Sequence, residues 1–135
     1  MPAPLGRAAA YLWALPVTLV GLAAAVAGRL GGGRLAWREG VLEASGGPLA
    51  PLLRRGYPPM AIAAITLGHV VLAQGQDDLD RTRAHERAHV RQYERFGPLF
   101  PLLYLGASVA ARCLGGDLYR DNWFEREARA AERAE

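Results

Sequence analysis

Residues 82–97 read TRAHERAHVRQYERFG, and the helix that they predict is the element on which the other assignments depend. No glycine or proline interrupts the stretch until Gly97 and Pro98, a pair that is typical of a helix C-terminus. On a helix, His85 and His89 lie one turn apart and project from the same face. Both imidazoles can therefore reach one metal ion at the bond length of about 2.0–2.1 Å that zinc takes with histidine nitrogen.

Glu86 lies between the two histidines and completes the pattern H-E-x-x-H. As their neighbour it cannot easily bind the same ion, but it can hold a water molecule on that ion and accept its proton. The competing interpretation is a solvated charged helix, because arginine recurs at every fourth position from 83 to 95. We favour the metal site because the chain has only 3 histidines and two of them fall at this spacing. Zinc is the predicted ion, since imidazole and carboxylate ligands suit it.

A third ligand is expected from a carboxylate or a histidine on a second element. Residues 121–132, DNWFEREARAAE, predict a C-terminal helix with Asp121 or Asn122 as its N-cap. The acidic residues within this helix are Glu125, Glu127 and Glu132.

These two segments together resemble the gluzincin zinc metallopeptidases, and the compact minigluzincins in particular. Gluzincins pair an HExxH helix with a downstream glutamate on another helix, and in membrane-associated members that glutamate often stands in the pattern E-x-x-A-D. Here FEREAR aligns Glu125 with the ligand and Ala128 with the alanine, and Glu127 is the alternative ligand. Arg129 stands where the family has an aspartate that commonly orients a ligand histidine, so the orientation of that histidine is left unassigned. The resemblance covers about residues 60–132.

The resemblance implies a membrane-associated enzyme that hydrolyses peptide bonds by a zinc-bound water. Glu86 would be the general base, and His85, His89 and Glu125 would be the zinc ligands. In such enzymes a strand before the zinc helix binds the substrate main chain in extended form, and ITLGHVVL at 65–72 has that place. The candidate contacts to substrate or oxyanion are Gly68, His69, Tyr93, Tyr104 and Tyr119, of which His69 also has a purely structural interpretation.

The N-terminal residues 8–28, AAAYLWALPVTLVGLAAAVAG, carry no charge and are bracketed by Arg7 and Arg29. An apolar run of about 20 residues matches the hydrocarbon thickness of a membrane, so we predict a single-pass transmembrane anchor over residues 1–29. A cleaved signal peptide, which would leave the remainder secreted, is the alternative, because AVA at 25–27 resembles a cleavage site. The arginines that follow the run favour a cytoplasmic catalytic part.

Residues 30–135 form the predicted metallopeptidase-like domain, entered through GRLGGGR at 28–34, which is read as a flexible connector. RLAWREGVLEA at 34–44 and MAIAAITLGHVVLA at 60–73 predict strands, and SGGPLAP at 45–51 is read as a turn. The predicted fold is therefore α+β. It has an N-terminal transmembrane helix, a small antiparallel sheet, the zinc helix, an apolar helical connection and a C-terminal helix carrying the third ligand.

The apolar segment 96–116, FGPLFPLLYLGASVAARCLGG, is long enough to predict a second membrane span. If His89 and Glu125 bind one metal ion, however, the chain between them cannot cross a hydrocarbon core of about 30 Å. We therefore predict that this segment turns back as a helical connection. It would pack on the zinc helix and dip into the membrane interface beside the anchor.

Composition narrows the remaining classes. With 51% hydrophobic and 21% charged residues, the chain is not a disordered tail. All 16 basic side chains are arginine, and neither an aromatic-interleaved basic run nor a zinc-finger spacing predicts nucleic-acid binding. The arginines fit a solvated face that also touches anionic lipid, so the expected partners are a peptide or protein substrate and a lipid membrane. The alternative function is a non-catalytic zinc-stabilised membrane protein, or an adaptor in which the HExxH pattern is a look-alike.

Overall fold

The structure is a computed structural model that describes residues 4–56 and 62–134, so the first two residues of the predicted strand 60–73 lie outside the described residues. The helices are α1 (Pro4–Leu30), α2 (Leu49–Arg55), α3 (Gln76–Phe96), α4 (Phe100–Cys113) and α5 (Trp123–Ala134), with a short 3-10 helix, Gly97–Leu99, between α3 and α4. The strands are β1 (Arg34–Arg38), β2 (Val41–Ser45), β3 (Ala64–Leu67) and β4 (Val70–Ala73). The predicted α+β class and the apolar N-terminal helix are confirmed.

The four strands form one mixed sheet in the order β1-β2-β4-β3. The pairs β1–β2 and β3–β4 are antiparallel, but the central pair β2–β4 is parallel, with Leu42 opposite Val70. The prediction of an antiparallel sheet is therefore wrong for the central pair. Each central strand is the returning strand of a hairpin. Because the connection through α2 stays at one end of the sheet, the two returning strands lie side by side in the same direction.

Helices cover both faces of this sheet, because successive side chains of the central strand β4 point to opposite sides. Val70 packs with Ala25 of α1 and Leu49 of α2. Its neighbour Val71 packs with Leu79 of α3 on the other face. The sheet is thus the middle of three layers, with α1 on one side and α3 on the other.

Small residues allow α1 to approach the sheet closely. A Cβ atom on Gly21 would lie only 2.9 Å from the Cβ atoms of Leu67 and Val70. A Cβ atom on Gly28 would lie 2.9 Å from the side chain of Leu49. The predicted anchor therefore shares a hydrophobic core with residues 30–135.

Two stretches that were predicted as a flexible connector and a turn are folded. In GRLGGGR the N–H of Gly33 donates to the carbonyl of Gly28 at 2.9 Å, so the connector is a packed turn. SGGPLAP starts as a turn and then continues into α2, which buries Leu49 and Leu53. These leucines are four residues apart, a spacing that places both on the core side of even a short helix.

The apolar segment after α3 forms a helical connection, as predicted. Gly97 ends α3 with a φ of 57°, and a Cβ atom there would overlap the indole of Trp13. Phe100 begins α4 and packs on Tyr93 of α3 with ring centroids 4.6 Å apart. The 14 residues of α4 span about 21 Å, less than a hydrocarbon core of about 30 Å. By length and composition alone, Gly6–Leu30 and Gln76–Cys113 qualify as membrane spans.

Candidate metal centre

Helix α3 supplies the first part of the site. His85 and His89 are buried on the side of α3 that faces α5. Their ring centroids are 5.0 Å apart and the rings are inclined at 76°. Asp77 and Asp78 occupy the first turn of α3, where the positive end of the helix dipole stabilises their negative charge.

Helix α5 brings Glu125 to both histidines. One carboxylate oxygen, Oε1, lies 2.9 Å from Nε2 of His85, and the other, Oε2, lies 3.1 Å from Nε2 of His89. The start of α5 is set by Asn122, one of the two predicted caps, whose side-chain oxygen accepts the N–H of Phe124 at 2.8 Å. The site therefore joins side chains of two helices, and Glu125 follows His89 by 36 positions in the sequence.

These three side chains could hold a metal ion. One ligand atom from each residue lies within 4.8 Å of the other two, and all three residues are buried. In a tetrahedral zinc site with bonds of about 2.0–2.1 Å, neighbouring ligand atoms are about 3.4 Å apart. The Nε2–carboxylate distances of 2.9 and 3.1 Å, which involve two different oxygens of Glu125, are shorter than this value, so a zinc-sized ion would require the three side chains to move slightly apart.

The outward nitrogens of both imidazoles are held by other side chains. Nδ1 of His85 lies 3.0 Å from a carboxylate oxygen of Glu132 on α5. Nδ1 of His89 lies 2.7 Å from the side-chain oxygen of Gln92. When Nδ1–H donates a hydrogen bond to these acceptors, the proton stays on Nδ1, and Nε2 is left as the lone-pair nitrogen that faces Glu125. This is the tautomer that a metal requires.

Glu132 and Gln92 had no place in the site that the sequence predicts. Glu132 is seven residues after Glu125, which places it on the same face of α5 two turns later, and this spacing was the available signal. Arg129 points away from the histidines and donates to the carbonyl of Arg120. Glu132 is therefore the carboxylate that contacts the outward nitrogen of His85.

Glu127, the alternative third ligand, lies outside the ligand group. Its carboxylate accepts a hydrogen bond from Nε2 of Gln92 at 2.9 Å, while the same nitrogen also contacts the carbonyl of Phe124 at 3.1 Å. Gln92 thereby links His89 to the backbone and to a side chain of α5. Of the two glutamates, Glu125 is the one that lies beside both histidines.

Glu86 is buried beside the histidines and contacts the sheet. Its Oε2 accepts a hydrogen bond from the hydroxyl of Thr66 in β3 at 2.7 Å. Burial raises the pKa of Glu86, against the lowering effects of His89 and of the hydrogen bond from Thr66. Thr66 belongs to an edge strand, so the sheet edge and this carboxylate meet at the site.

The charges of the cluster shift its pKa values strongly. Burial lowers the pKa of His85, but the hydrogen bond to Glu125 and the charges of Glu86 and Glu125 outweigh it and raise the pKa to about 9. The pKa of His89 is also raised: burial lowers it, and the hydrogen bond and charge of Glu125 outweigh that. Burial raises the pKa of Glu125, but hydrogen bonds from both histidines hold it well below its usual range.

Two of the three predicted tyrosines lie at the cluster. The hydroxyl of Tyr104 on α4 donates to Oε2 of Glu125 at 2.6 Å, and burial together with the charge of Glu125 raises its pKa. Tyr119 is exposed to 42%, and burial of its hydroxyl and the charge of Glu125 raise its pKa too. It lines a cavity of about 440 Å³ together with Asp117, Arg120 and Arg129. Tyr93 is buried against Phe100 in the core, and burial together with the charge of Glu86 raises its pKa to about 12.

Gly68 and His69 serve the packing of α1, which corrects their prediction as substrate contacts. Gly68 has a φ of 65° in the turn between β3 and β4, and a Cβ atom there would overlap Thr18 of α1. His69 is buried, stacks on Tyr11 of α1 with ring centroids 4.0 Å apart, and has Nε2 2.8 Å from Glu94. The structural interpretation of His69 is the one that these contacts support.

Comparison of the chain with protein-family models, with curated proteins and with solved structures finds no significant match. A function is therefore inferred from the geometry of the cluster.

Proposed function

We propose that the protein is a zinc-dependent peptidase whose zinc ligands are His85, His89 and Glu125. The donor set supports this choice, because two imidazoles and one carboxylate form the ligand set of catalytic zinc sites that keep a fourth position for water or substrate. Zinc, when bound, would supply a Lewis acid that polarises a carbonyl group and acidifies a water molecule. Glu132 and Gln92 would hold the two imidazoles in the ligand orientation.

The observation that carries the proposal is the position of Glu86. Its carboxylate is buried next to the ligand group, yet it is not a member of that group and contacts Thr66 instead. Burial raises its pKa, which moves the carboxylate towards the range in which a base accepts and returns a proton near neutral pH. A purely structural metal centre does not need such a group. Glu86 would take a proton from the attacking water and pass it to the leaving amine.

The neighbouring elements supply the other requirements of peptide hydrolysis. β3 is an edge strand of the sheet within the described residues, so the side of β3 away from β4 would offer its main-chain groups next to Thr66 to an extended peptide. Tyr104 and Tyr119 carry hydroxyl groups beside Glu125 with pKa values raised above their usual range, so both stay protonated. Protonated hydroxyls donate hydrogen bonds to an oxyanion, and the half-exposed Tyr119 at the cavity is the more accessible of the two.

A metal that only staples the fold is the second candidate. The observation in its favour is that the ligand group is buried and ties α3 to α5 across the helix interface. A metal in this position would stabilise the protein whether or not Glu86 is a base. The two candidates therefore differ in the role of Glu86, which is the general base in the peptidase and has no chemical role in a structural metal site.

Replacing Glu86 by glutamine separates these candidates. The amide keeps the shape of the side chain and its contact with Thr66 but cannot accept the proton, so hydrolysis should fall about 100-fold or more while zinc remains bound. Cleavage of casein or of a peptide library, together with metal content, is the measurement. Glu94→Gln is the matched control, because Glu94 is on the same helix and contacts His69 rather than the ligand group. Equal cleavage by Glu86→Gln and the control would rule out Glu86 as the base. Absence of cleavage by the unmodified protein across the peptide library would leave the structural metal as the function.

A further inference from the structure

Helix α1 has an apolar outer surface along its whole length. From residue 8 to residue 28 it has no charged residue, and its large exposed side chains are Leu12, Trp13, Leu15, Leu19, Val20, Leu22, Val26 and Leu30. Leu12 is exposed to 69% and Leu19 to 54%. A continuous apolar surface of this length marks an interaction site with lipid or protein.

The opposite side of α1 is occupied by the rest of the protein. Near its start, the hydroxyl of Tyr11 donates to the carbonyl of Gly40 at 2.5 Å, and near its end Gly28 packs on Leu49. The interval from 11 to 28 covers about 25 Å of helix at a rise of 1.5 Å per residue. The sheet thus lies alongside nearly the whole apolar run and does not begin beyond it.

This contact is incompatible with a membrane crossing by α1. A perpendicular α1 would carry the sheet into the hydrocarbon core, which is about 30 Å thick. All five residues of the edge strand β1 are exposed, and its two ends are Arg34 and Arg38. Open sheet edges do not occur in lipid, and an arginine at the bilayer centre costs at least about 2.5–3.5 kcal/mol.

We propose that α1 lies in the plane of the membrane, with its outer face in the lipid interface and the sheet and α3 stacked above it. A helix in this position needs one apolar face and one face turned to water, and here the folded sheet takes the place of the polar face. The partner is therefore a lipid bilayer.

The surface continues from α1 onto α4. Trp13 of α1 lies against Gly97, which is two residues before the exposed Leu99 at the entrance to α4. The exposed apolar side chains of α4 are Leu102, Leu103, Leu105 and Val109. Because α4 also places Tyr104 on Glu125, the same helix joins the lipid-facing surface to the metal centre.

Charge complementarity selects the kind of lipid. The helices that carry or contact this surface have exposed arginines in their last turns: Arg29 in α1, Arg54 and Arg55 in α2, and Arg112 in α4. Each arginine near an anionic bilayer contributes about 1 kcal/mol of attraction. A bilayer with anionic headgroups is therefore the partner that we expect for an apolar surface on these helices.

The arrangement also makes α1 a permanent part of the protein. Cleavage after residue 27 would remove Ala14 and Ala25, both completely buried, from the hydrophobic core. It would also remove the partner of Gly68, which packs on Thr18. A signal peptide leaves without such a loss, so α1 stays with the mature chain.

Spin labels on the outer face of α1 test the proposal. Single cysteines at Leu12, Leu19 and Val26, in a full-length Cys113→Ala background, point the same way because they are seven residues apart. The protein is mixed with phosphatidylcholine vesicles with and without phosphatidylglycerol. Accessibility to oxygen and to a water-soluble nickel chelate then gives the depth of each label. A label at the exposed Arg91 of α3 is the aqueous control.

The proposal predicts one shallow depth for all three α1 labels, full water exposure at position 91 and stronger binding to the vesicles that contain phosphatidylglycerol. A depth that is greatest at position 19 and decreases towards 12 and 26 would show a membrane crossing and overturn it. Labels that contact no lipid would also overturn the proposal. Equal binding to both kinds of vesicle would show that the arginines do not select anionic lipid. The measurement needs neither metal nor peptidase activity, so its outcome is independent of the proposed function.

Discussion

The two helices that cover opposite faces of the sheet bury different kinds of side chain. α1 presents small residues, with Ala14, Gly21, Ala25 and Gly28 on its buried side. α3 presents a polar group that includes His85, Glu86, His89 and Gln92. Small residues bring α1 close to the sheet, whereas the polar group of α3 meets α5 and Thr66 through hydrogen bonds and ion pairs.

The two helices therefore have different roles: α1 contributes close packing, and α3 contributes the side chains of the metal centre. The α1 interface has little room for larger side chains, because a Cβ atom added at Gly21 or Gly28 would lie 2.9 Å from neighbouring side chains, but none of its residues belongs to the metal-ligand group. The α3 interface keeps costly buried charges, which a fold retains only when they are paired. Changes on α1 should therefore act on folding, and changes on α3 and α5 should act on metal binding.

Gly21→Leu should give the largest effect. The new side chain would meet Cβ atoms and a backbone carbonyl of the sheet at 2.9 Å, and overpacking of this kind costs about 1–3 kcal/mol or more. This exceeds the gain of up to about 1 kcal/mol that leucine brings over glycine in a helix. The free energy of unfolding, measured with urea on the full chain in detergent, should fall accordingly.

Ala23→Leu is the matched control for this change. Ala23 lies on the exposed side of α1 two residues away, so the same side chain should leave the free energy of unfolding unchanged or slightly higher. If both variants were equally stable, α1 would not pack on the sheet and the layered arrangement would be wrong.

Glu132→Gln should have an intermediate effect that is confined to the metal. The variant keeps the shape of the side chain but removes the charge that polarises His85, 3.0 Å away. Loss of such an orienting carboxylate typically weakens metal binding about 10–100-fold. Zinc affinity by chelator competition should fall within this range while the free energy of unfolding of the zinc-free protein changes little. Unchanged affinity would mean that Glu132 does not orient His85.

The pH dependence of stability should show the most gradual effect, and its sign should depend on the metal. In chelator-treated protein the raised pKa of His85 contributes stability that is complete below pH 6.5 and is lost as the pH rises through about 9. Glu125, whose pKa is lowered, contributes above pH 4.5 and loses this only when the pH falls through its lowered value. The melting temperature of the metal-free protein should therefore be highest between pH 4.5 and 6.5.

Zinc should reverse this trend, because a metal binds neutral imidazole and its affinity rises as the histidines lose their protons. Over pH 6.5 to 9, the zinc-loaded protein should gain melting temperature relative to the metal-free protein. Parallel curves for the two preparations would indicate that His85 and His89 do not bind the metal.

The sequence could predict those parts of the site that depend on spacing along one helix. A spacing of four residues places His85 and His89 on one face, whatever the rest of the chain does. The partners Glu132 and Thr66 could not be found in this way, because each depends on how α5 or β3 docks on α3. Docking is set by packing between elements that are distant in sequence.

The same limit explains the parts of the fold that differ from prediction. A run of about 20 apolar residues has the same composition whether it crosses a membrane or packs on a sheet with one side only. What distinguishes them in α1 is the small-residue stripe from Ala14 to Gly28, and its meaning is visible only beside Leu67 and Leu49. Gly68 likewise gave a correct signal of close approach, but the approaching group is Thr18 rather than a substrate.

The central claim is that His85, His89 and Glu125 hold one metal ion. Zinc content of the full chain and of the variants Glu125→Ala and Glu127→Ala tests it most directly, since these glutamates are two residues apart on α5 and only Glu125 reaches both histidines. We expect one zinc per chain in the unmodified protein and in Glu127→Ala. In Glu125→Ala we expect the zinc to be lost. Stoichiometric zinc in Glu125→Ala, or loss of zinc in Glu127→Ala alone, would show that His85, His89 and Glu125 are not the ligand set.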